Sequence, residues 1–198
     1  MNKPYVSIIL CIILIIFELS VNIIYKSRDV IKKKFCYLEN KNINFSNFYK
    51  IYTSLLTHSS FLFHFLPNLI LTAIFGTLLE NQIWNDKMMK FIIICIFIFW
   101  TFMFILGIKS KMGCGSSAIF YSFFSYYFTI KASYEKTELN RIIQLLNPIF
   151  ILIIIHSLGN IVSTSTEFTH VLSLMYGYIA GIYYSQSKIN NNYFNLYK

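Results

Sequence analysis

Long apolar stretches separated by short polar ones run through the whole 198-residue chain. The stretches are continuous rather than alternating at every second residue, and each approaches the roughly 20 residues that a helix needs to cross a bilayer. The pattern predicts spans at about 5–25, 59–82, 88–107, 115–131, 142–163 and 168–187, with Pro148 inside the fifth. The first exceeds a signal-peptide core, and no small-residue cleavage site follows it. No Arg-rich presequence precedes it, so an ordinary mitochondrial import route is not expected. No repeat and no separate soluble segment interrupts the series. Residues 1–198 therefore read as one all-α membrane domain, a bundle of six transmembrane helices.

Composition strengthens this reading. Hydrophobic residues make up 56% of the chain and charged ones 13%, and mean hydropathy is +0.57. A soluble domain carries about 25% charged residues, so a freely soluble enzyme is not expected. The net charge of +9 would suggest nucleic acid in a soluble protein. Here the basic residues cluster between apolar runs, above all Arg28, Lys32, Lys33 and Lys34 after the first span. That distribution fits loops beside lipid headgroups, and no nucleic-acid partner is expected. Lys and Arg divide eight to nine between the two faces that six spans define, which carries no positive-inside signal. Cys11, Cys36, Cys95 and Cys114 have neither CxxC nor metal-ligand spacing, so neither zinc nor a disulfide framework is expected. No metal or organic cofactor is implied.

Polar groups inside spans are costly and mark function by default. His64 and Asn68 lie early in the second span, Ser117 early in the fourth and His170 early in the sixth. Even-numbered spans begin on the same face, and each residue lies within two or three turns of its helix start at a rise of about 1.5 Å per residue. Topology thus gathers a hydroxyl, an amide and two imidazoles into one shallow layer. The fourth span follows Met112-Gly113-Cys114-Gly115-Ser116-Ser117-Ala118. Glycines there permit a tight turn and close approach to a substrate, and a serine at a helix N-terminus has backbone N–H groups beside it suited to an oxyanion. The same stretch also suits close helix packing. Each buried polar group likewise has a purely structural use: a histidine or Asn68 joining helices, Glu18 and Glu80 as partners within the bundle, Gly177 and Gly181 as a packing face. His58 is expected at the mouth of the bundle.

Taken in order, these residues resemble the rhomboid intramembrane serine proteases. His64-Phe65-Leu66-Pro67-Asn68 is similar to the family's H-x-x-x-N, Gly76 to Glu80 to its G-x-x-x-E, and Gly115-Ser116-Ser117-Ala118 to its nucleophile motif. His170, followed by Gly177 and Gly181, resembles the family's histidine and its glycine-rich packing face. The resemblance extends from His58 to about Tyr184. It departs from the family at Ala118 and Ser173, where glycine is common, and in the six-residue step from His58 to His64, where five is usual. The first loop also lacks the family's Trp-Arg pair.

The resemblance implies a rhomboid-like bundle that hydrolyses peptide bonds in or near transmembrane segments of other membrane proteins, with no cofactor. Ser117 would be the nucleophile and His170 the base. His64, Asn68 and the backbone at Ser117 would hold the oxyanion, with Gly115 and Tyr121 in support. Ser116 competes with Ser117, but only Ser117 has the motif glycine two residues before it. Ser117 also has Tyr121 one turn on, to pack against the imidazole, and Ser122 and Ser125 where the family has small residues facing the sixth helix. His156, in the fifth span, is the rival base. Glu167 reads as a helix-start acid favoured by the macrodipole rather than as a third member of the site. Two other classes of function stay open: a rhomboid-like pseudoprotease or Derlin-like adaptor that binds clients without cutting them, and a small channel or transporter. A channel predicts polar groups spread through the membrane depth, whereas these gather at one level.

Overall fold

The computed structural model describes residues 4–36, 49–105, 114–158 and 164–196, with side chains except at 51, 98–105, 152, 154–158, 164–168 and 189–196. Every regular element among these residues is helical. In chain order they are α1 (Tyr5–Tyr25), α2 (Arg28–Phe35), α3 (Tyr49–Leu56), a π-helical turn (Phe61–Phe65), α4 (Leu66–Ile83), α5 (Asn85–Ile105), α6 (Ser117–Tyr134), α7 (Glu138–Leu158) and α8 (Thr164–Leu196). Two segments are long and apolar enough to cross a membrane among the described residues, Tyr5–Tyr25 and Phe61–Ile83. Their outward faces are aliphatic, with Ile9, Ile12 and Ile16 on α1 and Ile70 and Ile74 on α4 exposed.

The basic loop after the first span is more ordered than its composition suggests, since it contains α2 and α3. α2 has Asp29 in its first turn and Lys32, Lys33 and Lys34 in its last, which is the charge order that complements the helix macrodipole. Lys26 adopts the left-handed conformation that ends α1.

α6 is the hub and packs against α4, α7 and α8. Every residue from Ala118 to Tyr126 is buried, so this helix is covered all round rather than along one stripe. Its contact with α8 depends on small residues. A Cβ on Gly177 would overlap the Ser125 hydroxyl and the Ser122 carbonyl, and one on Gly181 would overlap Thr129. Ser122 Oγ donates to the Ser173 carbonyl at 3.1 Å and Ser125 Oγ to the Leu174 carbonyl at 2.8 Å. Hydroxyls thus couple the two helices where the backbones come close enough for them to reach. Farther along, Tyr176 and Tyr184 donate to the carbonyls of Phe91 and Gln82, tying α8 to α5 and the end of α4.

Glu80 joins α1 to α4. Its carboxylate accepts from the N–H groups of Val6 and Ser7, both at 2.8 Å, and from Ser7 Oγ at 2.6 Å. Pro4 offers α1 no side-chain cap, so a buried carboxylate from another helix satisfies N–H groups that the first turn leaves without internal acceptors.

Candidate active site

Four segments converge at the start of α6. Ser117 is the first residue of α6, and its Oγ lies 2.8 Å from His170 Nε2 on α8. The Tyr121 ring, one turn along α6, packs on the His170 imidazole with centroids 4.5 Å apart and planes inclined by 43°. Ser117 is half-buried, while His170 is 7% exposed.

Gly115 has φ +123°, a conformation that side chains rarely tolerate, and a Cβ there would sit 2.7 Å from His64 Nε2 and 3.5 Å from Asn68 Nδ2. Glycine thus lets the chain turn into α6 while two side-chain nitrogens press against it. His64 lies in the π-helical turn, where Phe65 N–H reaches back to the Ser60 carbonyl at 2.9 Å. Pro67, just inside α4, has no N–H to donate, which suits a backbone that changes pitch at this point. His64 Nδ1 accepts from Ser59 N–H at 3.2 Å, so in the neutral ring the proton resides on Nε2, the nitrogen facing Gly115. Asn68 Nδ2 is buried and has no hydrogen-bond partner. A buried donor without an acceptor is expensive, and an anion arriving beside Gly115 would satisfy it.

The neighbouring serine faces elsewhere. Ser116 is fully buried, and both its Oγ and its N–H approach His58 Nε2 at 3.1 Å. His58, also fully buried, is therefore not at the mouth of the bundle but against the loop that precedes α6. Its Nδ1 faces Glu18 Oε2 at 3.5 Å, and Glu18 Oε1 pairs with Arg28 at 2.5 Å. Sequence reasoning left this cluster unread. Its signal was an acid within the first apolar run and a lone arginine ten residues later. The same loop is held at Gly115, whose N–H donates to the Ser54 carbonyl at 2.8 Å, and at Cys114, which interacts with Cys36. The hydrogen bond between the two thiols holds Cys114 below the ordinary thiol range and Cys36 above it.

The structure thus brings Ser117, His170 and Tyr121 together, and His64, Asn68 and Gly115 beside them. The side chains of the rival base His156 and of Glu167 lie outside the described residues, as do Met112 and Gly113.

The site is thus a serine–histidine contact at a helix start within a helical bundle, and comparison with known proteins names the family. The Rhomboid domain matches residues 46–187, well over half of the chain. The protein belongs to the rhomboid family, whose members are integral membrane proteins and are usually intramembrane proteases. No curated protein matches the chain.

Proposed function

We propose that this protein is an active intramembrane serine protease that cleaves other membrane proteins in or near their transmembrane segments. The observation that carries the reading is the 2.8 Å contact between Ser117 Oγ and His170 Nε2 beside the unpartnered Asn68 amide. A serine hydroxyl is a weak nucleophile until a base takes its proton. His170 accepts that proton through Nε2 as Ser117 Oγ attacks the scissile carbonyl. The tetrahedral oxyanion is held by His64 Nε2–H, by Asn68 Nδ2–H and by the Ser117 N–H, one of the four that a helix start leaves free. The imidazolium of His170 then protonates the departing amine. Water, activated by the same imidazole, hydrolyses the acyl-enzyme. Tyr121 keeps the imidazole facing Ser117, and Gly115 keeps the loop clear of the oxyanion.

In this reading α1, the π-helical turn with α4, and α5 to α8 form six membrane crossings, and the site opens near one aqueous face. Substrates enter from the bilayer and need locally unstable helices, because an intact helix hides its peptide bonds. The partners are transmembrane proteins and lipid, with no role for nucleic acid or a cofactor.

The test is cleavage of a single-span substrate in proteoliposomes by wild type and by Ser117→Ala, Ser116→Ala, His170→Ala and His156→Ala. Cutting lost with Ser117→Ala and His170→Ala alone is the expected result. Loss with Ser116→Ala or His156→Ala instead would keep the protease and overturn the dyad. Absence of cutting by folded wild type across several substrates would favour an adaptor that binds clients without proteolysis.

A further inference from the structure

The cluster behind Ser116 is a chain of contacts from α1 to the residue before the proposed nucleophile. Glu18 is 1% exposed, although carboxylates avoid such sites unless they are paired. One of its oxygens takes Arg28 Nη1 at 2.5 Å and Asn22 Nδ2 at 3.2 Å. The same Arg28 nitrogen also donates to the His58 carbonyl at 3.1 Å, so one guanidinium holds both the acid and the histidine backbone. The second oxygen of Glu18 faces His58 Nδ1, which has no closer partner. On the far side of the ring, Nε2 receives the Ser116 N–H. An N–H donor requires a lone pair, so Nε2 is the acceptor and the ring proton sits on Nδ1, towards Glu18. The carboxylate therefore selects the tautomer that can hold the Ser116 amide.

We infer that Arg28, Glu18 and His58 are positioning residues that anchor the Ser116 peptide and so aim the Ser117 hydroxyl and N–H at the scissile carbonyl. The consequence for rate rests on the protease reading; the anchor itself does not. With the Ser116 N–H tied to His58, the Gly115–Ser116 peptide cannot rotate without breaking a buried bond. The next peptide is held through the Ser116 carbonyl, which accepts from the Ile119 N–H at 2.9 Å, so that the Ser117 N–H is left as the backbone donor at the helix start. The cluster has the order of a serine, histidine and carboxylate triad, yet Ser116 and His58 are wholly buried. No substrate carbonyl reaches Ser116, so its role is to be held rather than to attack.

The test exploits the two ends of the ring. Gln at 58 carries an amide oxygen near the position of Nε2, whereas Asn carries its amide near Nδ1 and falls short of Ser116. In full-length protein in proteoliposomes, His58→Asn is expected to lower kcat about 10- to 100-fold through misplacement of the nucleophile, with KM changed less than about twofold. His58→Gln is expected to recover most of the loss, and Glu18→Gln to fall between the two. Hydrogen exchange of the 114–118 amides supplies a readout independent of activity, with protection in wild type and His58→Gln and faster exchange in His58→Asn. Equal rates and equal exchange in the Gln and Asn variants would overturn the inference, as would an unprotected 114–118 segment in wild type, which needs no variant to fold. If wild type neither cleaves nor reacts with a fluorophosphonate while the exchange difference persists, the protease reading fails and the anchor stands.

Discussion

Two serine–histidine pairs lie side by side at the start of α6, and their differences are instructive. Ser116 and His58 are 3.1 Å apart with Glu18 behind the ring, whereas Ser117 and His170 are 2.8 Å apart with Tyr121 packed on the ring. By the order of its groups the first pair looks more like a hydrolase triad. It is sealed, however, and its Nε2 also holds a backbone N–H, so it has neither room for a substrate nor a free lone pair for a proton. The second pair is half-open at Ser117 and has two side-chain donors beside it at Gly115. A serine and a histidine at hydrogen-bond distance do not by themselves make a nucleophile; under the proposed protease reading, access together with a place for the developing charge favours the second pair.

The largest effect that separates the pairs is loss of the open one. Ser117→Ala or His170→Ala is expected to lower kcat by about 10⁴-fold or more, since members of such a unit fail together. Single-turnover cleavage measures this, and a comparable loss with Ser116→Ala would exchange the roles of the two pairs. Next comes the charge-holding corner. Asn68→Leu is expected to cost about 10²-fold in kcat with little change in KM, as loss of one oxyanion donor does; an unchanged kcat would remove Asn68 from that role.

A third prediction separates stability from chemistry. Glu80→Ala strips acceptors from Val6 and Ser7 and is expected to destabilise the bundle by about 3 kcal/mol. Thermal unfolding in detergent reads that loss, while kcat of the fraction that remains folded stays near wild type. The smallest effect is assigned to Ser116→Ala, which removes a hydroxyl but leaves the N–H on His58. Turnover should fall by no more than roughly threefold. A large fall would mean that the hydroxyl, rather than the amide, anchors the loop.

The choice between the two serines illustrates how much of the site could be read from the chain. The motif glycine at 115, the aromatic at 121 and the small residues at 122 and 125 all favoured Ser117, because they are local and helical spacing carries them. The hydroxyls at 122 and 125 do face α8, where Gly177 makes room for them. His58 was misjudged for the opposite reason: its partners are 40 residues before it and 58 after it. No periodic pattern records such a meeting, and a histidine beside a polar loop looks exposed until the fold closes over it. The helix α2 in the basic loop escaped notice because charge density conceals an amphipathic element of eight residues.

The sequence by itself determined that this is a helical protein of the rhomboid family, because apolar run length and motif order depend only on neighbours along the chain. It also placed His64, Asn68, Ser117 and His170 each early in an even-numbered apolar run, which is why the chain alone pointed to their meeting. Only the tertiary structure decided which histidine meets which serine, that Asn68 keeps an unspent donor at Gly115, and that Glu80 caps a helix other than its own. Those outcomes depend on how helices distant in sequence rotate and approach one another. That rotation is set by the small residues at their contacts and by the buried polar groups that pair across them, such as Ser122, Ser125 and Glu80.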